Sequence, residues 1–446
     1  MEGSIRGRDF RLLVASTGLS ALGDELALIA LTIKVADLTD SGLAVAALLI
    51  AGLLPMVLFA PVAGLLVDRH ETTETLALSV IAQAALAVGL AFTTSLPLIL
   101  VLTFLLGAGA AVSSPAVYTL VPIAVGEDRI TEANAYLETG RYAGMVAGPA
   151  LAGVLAAGPG AKAALLVDAL TFLLIALAAM ALRIRRQPEA QEMAGQRGEE
   201  VREGFRFIRR DRVLLLAFTA VGAVILFAAM DNVAEVFFAR ESLKAGDWGF
   251  GLLASGWLLG MVVGAVVIGR RLLTPSLVPS WMSAAVVGGT AVAAAAVFPV
   301  VWFAVAMFVV GGVANGVQTV AGRSLLVHRT PDRLRGRVFA AYGGLANGMQ
   351  LAATAVGGVI VAVVGGRIAL LVGGIGAAVA GTVGYLWYTA LPADVKRSPV
   401  VLPEADHEAF VGGDAPLSPI GTGLVPPIES ELPPPPEIEP ASPTDS

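Results

Sequence analysis

Long apolar runs alternate with short polar joints along this chain. Twelve runs stand out, at about 10–36, 42–66, 73–93, 97–121, 133–157, 161–182, 213–238, 248–271, 277–297, 299–320, 336–364 and 367–390. About twenty apolar residues suffice to cross a hydrocarbon core roughly 30 Å thick. A soluble core can absorb one or two such runs, but not twelve. The runs are continuous rather than alternating, so they predict membrane helices and not the strands of a barrel. A helix satisfies its backbone amides within its own segment, as lipid requires. The predicted fold class is therefore all-α integral membrane, with twelve transmembrane helices.

The positions of the bases orient these segments. With the N-terminus in the cytoplasm, 23 of the 29 Lys and Arg fall on the inside, among them Arg6, Arg8, Arg11 and the cluster from Arg183 to Arg212. Five fall outside (Lys34, Lys162, Arg240, Lys244 and Arg367), and Arg141 alone sits within a segment. That asymmetry is the positive-inside signature. It predicts a multi-pass protein of the plasma membrane, in a bacterium the inner membrane, with both termini cytoplasmic. The first run is long and lacks a small-residue cleavage pattern, so it is expected to stay as the first membrane helix.

The joints divide the chain further. Residues 1–182 form a first group of six helices and residues 213–391 a second. Residues 183–212 read as a cytoplasmic linker ending in a short amphipathic helix, where Phe205 and Ile208 share a face amid bases. Residues 392–446 hold 13 of the 25 prolines and are expected to be a disordered, Pro-rich, acidic cytoplasmic tail. The two halves also look like copies. A shift of 204 residues pairs Gly107 with Gly311, Asp128-Arg129 with Asp332-Arg333, Gly144 with Gly348, and Gly153 with Gly357. Two parallel repeats of six helices, pseudo-symmetric about a central site, suit a rocking transporter.

Composition narrows the function. The chain is 56% hydrophobic and 14% charged, whereas soluble domains are nearer one quarter charged; a conventional water-soluble enzyme is excluded. The net charge of −6 is local: residues 391–446 carry −8 and the rest +2, so neither part suggests a nucleic-acid binder. With no cysteine there is no disulfide framework, thiolate metal site or cysteine nucleophile. His70, His328 and His407 are scattered without metal-ligand spacing, and no GxxxxGK[ST] loop is present to hold ATP. No metal, no cofactor and no catalytic residue are expected.

Several motifs resemble the major facilitator superfamily, and within it the bacterial efflux branch of drug and siderophore exporters. The joint GLLVDRHETTE resembles the family's signature loop at Gly64, Leu66, Asp68 and Arg69, and departs from it at Glu71, Thr72 and Thr73. GMVAGPALAG matches the antiporter signature at Gly144, Gly148, Pro149 and Gly153. TPDRLRGRVFA (Thr330–Ala340) and EGFRFIRRD (Glu203–Asp211) resemble further exporter loops. The resemblance implies that Asp68 latches the outward-open state by accepting hydrogen bonds from a helix N-terminus, with Arg69 paired to a nearby acid. It also implies that the glycine ridge, with Pro149 bending the helix, packs closely and gates export. Thr103 occupies the position where drug–proton antiporters of the family carry an Arg, so a proton relay tied to that Arg is not carried over.

Ionisable groups inside the membrane carry the candidate chemistry, because each costs roughly 2.5–3.5 kcal/mol on insertion scales unless it faces a cavity or a partner. Asp24 and Glu25 fall at the middle of the first segment. Adjacent helix positions differ by about 100°, so one is expected toward the cavity and the other toward helix packing or a polar neighbour. Asp168 and Arg141 lie near the middles of the sixth and fifth segments, and Arg141 needs an acid partner among Asp24, Glu25 and Glu138. Desolvation raises a carboxyl's pKa and a nearby Arg lowers it. A carboxyl alternating between such surroundings can take a proton from one side and release it to the other. Asp24, Glu25, Arg141 and Asp168 are thus the proton-coupling candidates.

Asp231 and Glu235, four apart on the seventh segment, share a face; an acidic vestibule and an exposed outer surface both fit them. Asn315, Gln318, Asn347 and Gln350 offer amides to a cavity or to neighbouring helices. Phe92, Phe104, Phe227, Trp257 and Trp302 are candidates for an apolar pocket, although Trp also anchors at interfaces. These readings lead to a monomeric secondary transporter exporting a small amphiphilic compound in exchange for protons. A permease or facilitator of the same fold is the alternative, and a membrane scaffold or sensor acting through the tail is a more distant one.

Overall fold

A computed structural model of the chain describes residues 7–59, 66, 70–126, 129–185, 206–269, 272 and 276–397. Gly64, Asp68 and Arg69 of the signature loop, Phe205 of the linker and the whole tail after residue 397 lie outside these residues. The described residues are helical, with no strand among them. In chain order the helices are α1 (Arg8–Thr39), α2 (Gly42–Leu58), α3 (Thr72–Phe92), α4 (Leu96–Val125), α5 (Ile130–Ala157) and α6 (Ala161–Ala181). They continue with α7 (Arg212–Ala228), α8 (Asp231–Phe237), α9 (Gly246–Val263), α10 (Leu277–Val297), α11 (Val301–Arg329), α12 (Asp332–Ala390) and α13 (Ala393–Arg397).

Among the described residues nine helical stretches are long and apolar enough to cross a membrane. The expected count of twelve differs for physical reasons. Helix α2 is apolar but described over only 17 residues, and α5 carries Glu132, Glu138 and Arg141 in its first half. Helix α12 runs for 59 residues and turns at Gly365, whose φ of +80° departs from helical geometry. At about 1.5 Å per residue such a length exceeds one bilayer crossing more than twofold, so α12 accounts for the eleventh and twelfth apolar runs together.

Local chemistry places the helix ends. Asp40 closes α1 in the left-handed region at φ 46°. Glu71 begins α3 by accepting from the Thr73 and Glu74 amides at 3.2 and 2.7 Å, and Asp211 begins α7 by accepting from Val213 and Leu214 at 2.8 and 3.0 Å. These carboxylates satisfy amide groups that a helix start leaves without partners. Ahead of Asp211, residues 206–210 form a turn of helix that buries Phe207 and Ile208 and exposes Arg206, Arg209 and Arg210. Its apolar side therefore packs on the protein.

The apolar core divides with depth. On the side opposite the arginine clusters, one continuous cluster draws on both groups of helices, joining Leu26 and Ile33 of α1 and Val45 of α2 to Phe238, Leu253, Phe308 and Leu370. On the basic side the cores are separate. One collects Phe10, Leu13, Leu76, Leu120 and Phe172 from α1 and α3–α6; the other collects Val213, Leu216, Trp281 and Leu325 from α7, α10 and α11. Two seams tie the groups together on the opposite side. In the first, a Cβ on Gly251 of α9 would meet the Pro149 carbonyl of α5 at 2.5 Å, and one on Gly153 would meet the Asp247 carbonyl at 3.1 Å. In the second, Gly42 of α2 lies against Val361 and Gly358 of α12. The groups thus meet at one face of the membrane and part toward the other.

Candidate functional site

The part of the molecule open toward the basic side contains a cavity of about 260 Å³. It is lined from α1 by Ser16, Thr17, Ser20, Asp24 and Glu25, from α4 by Ser113, Ser114 and Tyr118, and from α5 by Arg141 and Met145. Helix α1 can present so many polar groups because glycines bring α5 close behind it. Gly144 packs on the Gly18 carbonyl and the Leu22 amide, Gly140 on the Val14 carbonyl, and Gly148 on the Glu25 Cβ. The ridge read from sequence therefore serves two contacts. Gly144 and Gly148 seat α1, while Pro149 and Gly153 face α9 across the seam between the groups.

Both carboxylates of the Asp24–Glu25 pair border the cavity. The expectation that only one would do so is corrected: the cavity is wide enough to take in the angle of about 100° between adjacent positions. Asp24 is exposed to it and accepts from the Ser20 hydroxyl at 3.4 Å, and Glu25 is half-buried. Of the three acids considered for Arg141, the structure pairs it with Glu138. Arg141 Nη2 and Nε lie 2.7 and 3.0 Å from Glu138 Oε2, and Tyr118 donates to Glu138 Oε1 at 3.1 Å. The guanidinium also rests 4.8 Å from the Tyr142 ring centre. Asp24 and Glu25 are left with no cation within salt-bridge reach among the described residues.

The other candidates lie elsewhere. Asp168 does not line the cavity; it is 0% exposed on α6, and a Cβ on Gly23 of α1 would come 2.5 Å from its Oδ1. Asp231 and Glu235 each have a buried carboxylate oxygen without a hydrogen-bond partner, and Asp231 is directed at Gly373 of α12. They are neither an exposed outer face nor part of this cavity. Asn315 and Gln318 line a second, smaller cavity of about 110 Å³, with Trp281, Met282, Thr319 and Tyr342. Asn347 is exposed and Gln350 half-buried, and neither lines a described cavity.

The apolar-pocket expectation is likewise corrected. None of Phe92, Phe104, Phe227, Trp257 and Trp302 lines either cavity. Phe92 and Trp302 are 62% and 69% exposed, at helix ends opposite the basic side, where aromatic rings settle at the lipid headgroups. Trp257 packs edge-on against Phe308. The aromatic groups that do line cavities are Tyr118, Trp281 and Tyr342, which sequence reasoning missed. Tyr118 is joined to Glu138, twenty positions later, only by packing.

The model of the Major Facilitator Superfamily matches residues 13–282. The chain belongs to that superfamily. It is a membrane transporter of the major facilitator fold, with the efflux-type resemblance read from its motifs. Macrolide efflux protein A of Streptococcus pyogenes is 22% identical over 267 residues, covering 58% of this chain and 66% of that protein. Macrolide efflux protein A of Enterococcus faecalis is 23% identical over 225 residues, covering 49% and 69%. The chain thus spans about two-thirds of the length of these curated relatives. An MFS-type transporter of Bacillus subtilis, YfiS, whose role is uncharacterised, is 25% identical over 363 residues, covering 78% and 85%.

Solved structures share the fold. The nucleoside transporter NupG superposes with a TM-score of 0.69 at 13% identity, covering 86% of this chain and 100% of that one. A bacterial homologue of the iron transporter ferroportin, in an inward-facing state, superposes with a TM-score of 0.66 at 15% identity, covering 86% and 99%.

Proposed function

We propose that this transporter exports an amphiphilic compound bearing a basic amine, of the macrolide type, in exchange for protons. The proposal places the basic side in the cytoplasm of a bacterial cell, with both termini inside, following the charge asymmetry. In that orientation the molecule is open inward, its outer seams closed. The observation that carries the reading is the cavity in which, among the described residues, no cation lies within 4.0 Å of Asp24 or Glu25 while Arg141 is engaged by Glu138. A protonated amine of the substrate supplies the missing positive charge, and the apolar side chains Leu76, Val80, Val117 and Ile175 of the same cavity take its apolar body.

Exchange follows from competition. Substrate amine and proton neutralise the same carboxylates, so one leaves when the other arrives. When the halves rock outward, protons from outside displace the amine; when they rock back, the protons leave inward. The membrane potential contributes about 2.3 kcal/mol per elementary charge per 100 mV, which suffices for useful accumulation when a proton is coupled. The relatives named as macrolide efflux proteins support the substrate class, and the serine-rich, acidic lining supports the charge of the substrate. Radiolabelled macrolide loaded into cells that express the full chain tests this. Energised efflux faster than in empty cells, abolished by a protonophore, is expected; equal retention in the two sets of cells rejects it.

A further inference from the structure

Behind the acidic cavity lies a polar contact that the exchange of amine for proton does not use. Gln83 of α3 is 1% exposed, and its amide reaches α4. Nε2 donates to Ser113 Oγ at 3.3 Å, and to the main-chain carbonyl and the hydroxyl of Ser79 at the same distance. The side chain can lie across α4 because Gly109 leaves it room: a Cβ there would come 2.6 Å from Gln83 Cγ. A buried amide costs free energy unless its hydrogens find acceptors, and here both do.

The direction of each bond follows from what each group can give. The Ser79 carbonyl can only accept, so the nitrogen of the Gln83 amide, and not its oxygen, faces this group. The Ser79 hydroxyl spends its one proton on the Gly109 carbonyl at 3.0 Å, and therefore also accepts from Gln83. One amide hydrogen is thus shared within Ser79 and the other is held by Ser113. Ser113 accepts, and its own proton has no acceptor among the described residues. A helical serine ordinarily places that proton on the carbonyl four residues back; here that is Gly109, which the Ser79 hydroxyl occupies. Ser113 borders the cavity that holds Asp24 and Glu25, so the proton is left for whatever fills the cavity. Ser16 and Ser114 line it too, but among the described residues no hydrogen bond orients either hydroxyl.

The geometry points to Gln83 as a positioning residue that holds Ser113 as a hydrogen-bond donor to a neutral oxygen of the substrate. That oxygen is a carbonyl, an ether or a hydroxyl; an anionic one is repelled by Asp24 and Glu25 in the same cavity. The bond that Ser113 receives also polarises its O–H and strengthens the bond it gives. Recognition then has two points, the acids of α1 for the amine and Ser113 of α4 for the oxygen. An amine without such an oxygen leaves the donor unpaired, which is how a polar site rejects an analogue lacking the matching group. The inference rests on the amine-export reading above and deepens it, adding a requirement on the substrate that the acids alone do not impose.

The test uses the full chain in proteoliposomes, as wild type, Ser113→Ala, Ser113→Thr, Gln83→Leu and the double variant Gln83→Leu/Ser113→Ala. Exchange of radiolabelled erythromycin, a basic macrolide rich in hydroxyl and carbonyl oxygens, is compared with exchange of imipramine, a lipophilic tertiary amine with no oxygen. Exchange needs no net proton movement, so the outcome does not depend on coupling. Ser113→Ala and Gln83→Leu should each raise the KM for erythromycin about fivefold at unchanged kcat, the scale of one neutral hydrogen bond, and move that for imipramine by less than about twofold. The double variant should match the single ones, because all three remove the same contact. Ser113→Thr keeps the hydroxyl and should stay within about twofold of wild type. If Gln83→Leu does not fold, Gly109→Ala takes its place with the same expected rise, since its Cβ displaces the Gln83 side chain. An unchanged KM for erythromycin in Ser113→Ala, equal shifts for the two amines, or additive effects in the double variant each overturns this inference alone. Wild type that exchanges imipramine but not erythromycin overturns the macrolide reading, and the inference with it; exchange of neither overturns amine export itself.

Discussion

Arg240 and Asp37 meet across the two groups of helices: Nη1 of Arg240, in the π-helical turn after α8, lies 2.7 Å from Oδ1 of Asp37 near the end of α1. The same guanidinium holds Asp247 at the start of α9, with Nη2 and Nε at 2.6 and 2.8 Å from Oδ1. Arg240 thus fastens three helix ends on the face where the outer seams are closed. Its side chain is 24% exposed and that of Asp37 59% exposed, so solvent screens the pair and its worth is at most about 1 kcal/mol.

Removing that fastening should favour the opposite opening. Arg240→Ala is expected to raise the population open on the outer face about two- to fivefold, matching an ion pair of about 0.5–1 kcal/mol. The chain has no cysteine, so Leu243→Cys, at a site 7% exposed within the outer apolar cluster, introduces a single reporter thiol. Its labelling by a membrane-impermeant maleimide should speed up in the Arg240→Ala background. An unchanged rate counts against a role for this contact in holding the state.

The glycine seat of α1 makes a second prediction. A Cβ at Gly144 would overlap the Gly18 carbonyl, which belongs to backbone and cannot swing aside. Gly144→Val should therefore cost about 1–3 kcal/mol of stability, the usual penalty of overpacking, and lower the thermal midpoint of the purified protein. Gly343→Val is the control, since nothing lies within 4 Å of a Cβ there. Equal midpoints for the two variants would remove the close packing from the account.

Glu138 is expected to keep Arg141 away from the acids that receive the substrate. Glu138→Gln leaves the guanidinium without its carboxylate in a cavity that also holds Asp24 and Glu25. Affinity for a basic macrolide should fall about tenfold, the scale of one charge-assisted hydrogen bond. Adding Arg141→Gln should restore it. Binding curves for the two variants at one pH check both halves of the statement.

A buried pair supports the other group of helices. Asp211, 0% exposed, caps α7 and accepts from Arg329 Nε at 3.0 Å. Arg329 in turn donates to the carbonyls of Lys396 and Val395 at 3.0 and 3.1 Å. Asp211→Leu removes the buried carboxylate that both caps α7 and pairs with Arg329, and breaking such a buried pair costs about 3–5 kcal/mol. A sharp drop in the thermal midpoint is predicted; a drop of only a degree or two would show that water replaces the carboxylate.

The helices were legible from the apolar runs because lipid demands both length and apolarity. Each of those runs overlies helix over most of its described length, and the seventh is interrupted by a turn at Ala229 and Met230. Side-chain facing was less legible. Asp24 and Asp168 read alike as acids near the middle of a segment, yet one lies in a cavity and the other is sealed behind Gly23. Spacing does not reveal which neighbour each helix turns toward. The Arg141–Glu138 pair was within reach because it joins positions three apart on one helix. Arg240 was read as a charge that sets topology, since its partner Asp37 lies some 200 positions earlier and only packing brings them together. Tyr118 and Tyr342 gave no signal beyond composition.

The central claim is that the acids of α1 exchange protons for substrate. Energised inside-out vesicles containing wild type or Asp24→Asn/Glu25→Gln protein, with a fluorescent probe of interior pH, test it most directly. Adding a macrolide should release protons from wild-type vesicles and leave the double variant unmoved. Equal proton release from both would take the coupling away from α1. Passage of labelled macrolide through wild type without any proton release would make the protein a facilitator and contradict the account.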